Sequence, residues 1–305
     1  MIVGLKMKIK GYLIVFMVAL FVVGGITFFP QKNEKIRIPQ TFEELIQLSD
    51  EEIETIDIAR INLLCAKGLP GSEDLDIEKC LQQLDEWSEY VKIQEEQSLS
   101  AFFKYREKYK NSIALFKGAY LGFAIQDDFK CDYNMELYDS GIIADRTSTL
   151  FFHDSSDIFI HGLINDRKGT CSSMPVLMVA LGRRCGYPLY LVQCGGHLFA
   201  RWDDGKEQFN FDITNNKGVK TESDQHYLEW PRSISEQEIK DEVLMKNLTN
   251  REMLGVFAAL RAVCFQEHKQ YEQAILCEKV TEQIFPNSRI TKLRIAHLKK
   301  LKSEG

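Results

Sequence analysis

The sequence predicts an α+β chain, in which a helix packs on an antiparallel sheet and helical regions flank that core on both sides. Two observations carry this expectation. Apolar residues recur at helical spacing over residues 41–110 and again over 251–286, whereas the middle of the chain holds short β-rich runs, YPLYLVQC, HLFARWDD and EQFNFDIT. A third observation stands apart: Gly11 to Phe29 contains no charged residue. With 45% hydrophobic and 27% charged residues, and only 7 Pro and 19 Gly in 305, collagen-like and low-complexity classes are excluded. A net charge of -6 argues against a broad nucleic-acid surface, so no nucleic-acid partner is expected.

Residues 1–30 are read as an N-terminal transmembrane anchor. A helix over Gly11–Phe29 would rise about 28 Å, close to the roughly 30 Å of a hydrocarbon core. Lys6, Lys8 and Lys10 precede it, while Lys32, Glu34, Lys35 and Arg37 beyond Pro30 are of mixed sign. The positive-inside rule then places the amino terminus in the cytoplasm and the main domain outside, as a single-pass membrane protein. A cleaved signal peptide is the competing reading. Its apolar run is ordinarily shorter and ends at a small-x-small site, whereas this run ends GGITFFP.

Residues 31–130 are expected to be helical. TFEEL fits a capping box at Thr41 and Glu44, and apolar spacing continues to Leu64 before KGLPG breaks it. A second helix fits DIEKCLQQLDEWSEYVKIQ, and a third fits residues 95–110. Residues 131–232 form the expected core. There SSMPVLMVALGRRCG reads as a helix ending at Gly186, with Arg183 and Arg184 in its last turn. The Asp-Gly step of DDGK predicts a hairpin between HLFARWDD and EQFNFDIT. Residues 233–305 return to helix. They include a hairpin turning near Glu267–Gln270, in which Ala258, Ala262, Phe265, Tyr271, Ala274 and Pro286 suit the tetratricopeptide pattern.

Chemistry concentrates in residues 167–214. Cys171 follows Gly169 at a helix start, and Pro175 supports a first turn there. A thiol at that position feels the positive end of the helix dipole, so a lowered pKa is expected. His197 opens a strand after Gly195 and Gly196, and Asp212 lies on the next strand, near the same end of the hairpin. Imidazole beside thiol, oriented by a carboxylate, is the arrangement of nucleophilic acyl catalysis. Asn165, six residues before Cys171, is a candidate oxyanion donor beside the Cys171 backbone N–H. His153, Asp154, Asp157 and His161 form a weaker cluster without metal-site spacing, and GxSxG, P-loop and GxGxxG motifs are absent. Neither a metal nor a cofactor is expected. No pair of the eight cysteines makes a CxxC.

The order of Gly169-Thr170-Cys171 at a helix start, Gly196-His197 opening a strand and Asp212 near the end of the next resembles the transglutaminase-like branch of the papain-like cysteine enzymes. It is similar in particular to bacterial members with a tetratricopeptide-like C-terminal tail. The resemblance implies Cys171 as nucleophile, His197 as base then acid, and Asp212 as its orienter, with no cofactor. It implies thiol-dependent acyl transfer or hydrolysis on protein or peptide amides: a peptidase, a deamidase or a cross-linker. The alternative is a catalytically silent, membrane-anchored module that binds a protein or peptide.

Overall fold

In a computed structural model, residues 37–139, 152–214 and 218–304 are described. The expected membrane segment, residues 11–29, lies outside them. Among the described residues no helix is long and apolar enough to cross a membrane.

Three short helices open the described chain: α1 (Phe42–Leu45), α2 (Asp50–Glu54) and α3 (Ile58–Ala66). The sequence predicts unbroken helical spacing here, but each piece has its own cap. The Thr41 and Ser49 hydroxyls and the Asp57 carboxylate accept from Glu44 N, Glu52 N and Ala59 N. Such side chains satisfy the orphan N–H groups of a new first turn and so favour restarting the helix. The reverse holds downstream. The two helices expected over 76–110 are one, α4 (Ile77–Tyr105), capped by Asp76 and followed by a 3₁₀ turn over Arg106–Tyr109. Next come α5 (Ile113–Phe123), β1 (Asp132–Tyr133), α6 (Met135–Asp139), α7 (Ser155–Ile158), α8 (Ile160–Asn165) and β2 (Lys168–Gly169). Strands β1 and β2 pair in parallel, Tyr133 opposite Gly169.

Helix α9 (Met174–Arg184) leads into an antiparallel meander of β3 (Leu189–Cys194), β4 (His197–Asp203), β5 (Gln208–Asp212) and β6 (Lys220–Glu222). The DDGK turn falls where the sequence places it, and a second tight turn forms at the glycine pair before His197. Gly195 and Gly196 link Cys194 to its partner His197, and at the DDGK turn Gly205 takes φ +77° while Asp204 Oδ1 accepts from Lys206 N and Glu207 N. The register sorts the side chains. Leu189, Leu191, Ala200, Trp202 and Phe211 share one face and join α9 in the main core. The other face carries Val192, Cys194, His197, Phe199, Arg201, Asn210 and Asp212, and Tyr227 of α10 (Asp224–Glu229) covers part of it. Tyr227 stacks on Phe199 with ring centroids 3.9 Å apart.

After α11 (Glu236–Asp241), the chain closes with α12 (Asn250–Glu267), α13 (Tyr271–Ile284) and α14 (Arg289–Glu304). The first two form the expected hairpin. Glu242 accepts from the N–H groups of Arg289 and Ile290, which fixes the start of α14. The tail does not stand apart. Ile38–Gly305 form one compact unit, and a single hydrophobic cluster runs from Phe42 through α9 to Leu298. Asn250 Nδ2 donates to the carbonyls of Ile53, Glu54 and Ile56, and Arg261 Nη1 to those of Cys65 and Lys67, joining α12 to α2 and α3. All eight cysteines are free thiols.

Candidate active site

Cys171 lies in the turn between β2 and α9, three residues before the helix proper. The turn is already helical in its bonding, since Thr170 O accepts from both Ser173 N and Met174 N. Ser173 Oγ locks it by accepting from Thr170 N and donating to Asp157 O. Cys171 is thus held where a helix start should favour thiolate, but burial wins. The residue is half-buried, and desolvation pushes its pKa up to about 11. The Asp212 charge adds to the rise. Hydrogen bonds from Ser172, from the Cys171 N–H and from Tyr133 oppose it. The lowered pKa that the sequence leads one to expect is therefore corrected: here the dipole of one helix end is weaker than the loss of water.

His197 opens β4 as the GGH pattern predicts. It is buried, and among the described residues Nε2 has no hydrogen-bond partner. Desolvation lowers its pKa, opposed by Asp212 and assisted by His226, so the imidazole is neutral at neutral pH. Trp230 presents its ring edge-on to His197 at a centroid distance of 4.7 Å. Cys171 and His197 line one cavity of about 260 Å³, together with Ser172, Cys194, Gly195 and Gly196. Its far wall comes from the tail helices.

Asp212 sits opposite Lys220, on the same sheet face as His197. Its charge bears on Cys171, Cys194, His197 and Tyr227. Its Oδ1, however, accepts from Thr214 N at 2.9 Å and Thr214 Oγ1 at 2.6 Å, and no hydrogen bond joins it to His197. The neighbouring Asn210 is committed elsewhere, accepting from Arg201 and donating to Asp224. Asn165 ends α8, exposed and away from the cavity wall. Cys171, His197 and the Asp212 charge are brought together, and Asn165 is not. The sequence reading missed Tyr133 and Trp230. Tyr133 reaches the thiol only through the β1–β2 pairing, which has no local signature.

Among the described residues no group of three or more His, Cys, Asp or Glu is placed to hold a metal. His153, Asp154, Asp157 and His161 have other uses. His153 stacks on His268, Asp154 caps α7, Asp157 accepts from Asn134, and His161 Nε2 bonds Gly71 O.

A neutral thiol and a neutral imidazole on one wall can act by proton transfer during attack, without a resting ion pair. No curated protein and no solved structure matches the chain. Residues 146–257, which hold Cys171, His197 and Asp212, match the family model of the transglutaminase-like superfamily.

Proposed function

We propose that the chain is a cysteine-dependent enzyme of acyl transfer or hydrolysis on protein or peptide amides. The observation that carries this reading is the shared cavity wall of Cys171 and His197, with the Asp212 charge bearing on both. The Cys171 proton passes to the His197 imidazole as sulfur bonds to the amide carbonyl carbon. The oxyanion that forms takes a hydrogen bond from the Cys171 N–H, with the Tyr133 hydroxyl beside the thiol as the second donor. The C–N bond then breaks, and His197 gives its proton to the leaving nitrogen. Water or an amine adds to the acyl-enzyme, His197 takes its proton, and the thiol is released. In this reading Asp212 leaves Thr214 to orient His197 once substrate is bound, because catalytic hydrogen bonds tighten in the occupied site. Residues 11–29 anchor the enzyme in a membrane and present it on the extracytoplasmic side. Residues 233–305 are its tetratricopeptide-like tail.

One observation favours a silent binding module instead: burial raises the thiol and depresses the imidazole, so neither is charged at pH 7. Alkylation separates the two. With iodoacetamide, followed by mass spectrometry of each cysteine peptide, an enzyme should lose at least tenfold in the Cys171 rate when His197→Ala removes the base. A Cys171 rate equal to that of the buried thiols, or one indifferent to His197→Ala, establishes the silent module.

A further inference from the structure

The cavity has a reactive side and an apolar side, and the apolar side belongs to α12. Val256, Ala259, Leu260 and Val263 line it at i, i+3, i+4 and i+7, so they form one stripe of the helix. A different stripe of α12, including Met253, Leu254, Phe257, Ala258 and Ala262, is buried in the main core. Val256 and Leu260 also pack in or against that core, so they join the two stripes, while Ala259 and Val263 line the cavity from outside that cluster. Phe285, the C-cap of α13 and itself part of the core cluster, adds its ring to this wall.

The charged groups on the wall are already paired. Arg232 contacts Glu238 at 2.8 Å, Arg294 contacts Glu278 at 3.5 Å, and Glu242 accepts from the start of α14. Gln193 donates to the carbonyls of Glu242 and Val243. The wall thus has no spare charge to recognise an ionised group. Burial of an ionised group without a partner is costly, so a charged occupant is disfavoured. At about 260 Å³ the space suits one large side chain, below the roughly 300–1,000 Å³ of pockets that enclose whole small ligands.

We infer that this space is the specificity pocket for the residue whose carbonyl Cys171 attacks, and that it takes a neutral apolar side chain of leucine or phenylalanine size. Resting on the catalytic reading above, this makes the tail a determinant of substrate choice. Ala259 sets the room available, because a larger side chain there would project into the space.

The test uses the full chain in detergent and peptidyl vinyl sulfones of the form acetyl-Ala-Xaa, with Xaa Gly, Leu, Phe, Asp or Lys. The rate of adduct formation on Cys171 is read by mass spectrometry. Leu or Phe probes should react at least tenfold faster than the Gly, Asp and Lys probes. In Ala259→Phe the ratio of Leu to Gly rates should fall towards one. That ratio is internal to each variant, so a partial loss of folding does not imitate the effect. Val263→Ala should raise the Phe-to-Leu ratio. If Cys171 reacts with iodoacetamide in a His197-dependent way but Leu and Phe are no faster than Asp or Lys, or if Ala259→Phe keeps the wild-type ratio, the pocket assignment is wrong and the catalytic reading stands. If Cys171 reacts with no electrophile, the catalytic reading falls and takes the pocket with it.

Discussion

One half-buried residue and one buried residue show how far solvent exclusion overrides local chemistry. At Cys171 it raises the thiol to about 11 against the pull of a helix start. The alkylation rate should therefore keep rising with pH well beyond the ordinary thiol value of about 8.5. A profile that levels off below pH 8 would show an ion pair already formed at rest. Glu278 is the second case. Burial raises its carboxyl to about 7, because Arg294, at 3.5 Å and largely exposed, returns less than desolvation takes. A native pKa above the unfolded value means that the folded state binds more protons between about pH 4.5 and 7, so stability falls as pH rises through that window. Glu278→Gln should remove up to about 3 kcal/mol of that slope, read as a melting temperature that no longer drops from pH 5 to pH 8. The identities of Cys171 and His197 were legible because glycines and a proline mark their places in the chain. Their protonation states were not, because burial comes with the tertiary fold, and the Asp212 charge and the Tyr133 hydrogen bond reach the site from distant parts of the chain.

At the level of elements, close approach is fixed by glycine where helices meet strands. A Cβ on Gly118 of α5 would lie 2.2 Å from Phe211 Cζ on β5, and one on Gly182 of α9 would lie 2.2 Å from Leu189 Cδ1 on β3. Gly118→Ala should cost about 1–3 kcal/mol through overpacking, measured by urea unfolding. Since Phe211 adjoins Asp212, it should also disturb the Cys171 labelling rate. A melting curve equal to wild type would show that Phe211 can swing aside. The hairpin and α9 were legible because Asp-Gly, Gly-Gly and the terminal arginines each dictate one local geometry. The breaks in residues 41–66 were written in the sequence too: Ser49 and Glu52 form a full capping box. Apolar periodicity alone conceals them, since it continues unchanged across a restart. The parallel β1–β2 pair has no sequence mark, because two-residue strands carry no alternation.

For the whole molecule, expected region boundaries near residues 130 and 232 do not interrupt the core. Asn250 ties the last helices to the first, with its amide donating to three carbonyls and its Oδ1 accepting from Arg183. Asn250→Ala leaves these buried groups unmatched and should cost about 1–3 kcal/mol. Because residues 38–305 make one unit, the loss should appear as a lower midpoint of a single transition. Separate unfolding of the tail, seen as two transitions, would contradict that unity.

The joint between α12 and the opening helices also sets a schedule for biosynthesis. Asn250 meets Glu54 across 196 residues of sequence, so this part of the core cannot close until the ribosome has released α12. Until then the inward faces of α2 and α3 lack their cover, and the wall that would sort substrates does not exist. A stalled or prematurely terminated chain then carries Cys171 without the tail side of its cavity, in a form open to chaperones and proteases. Cys171 is therefore made early and its finished cavity late, in the order of the chain.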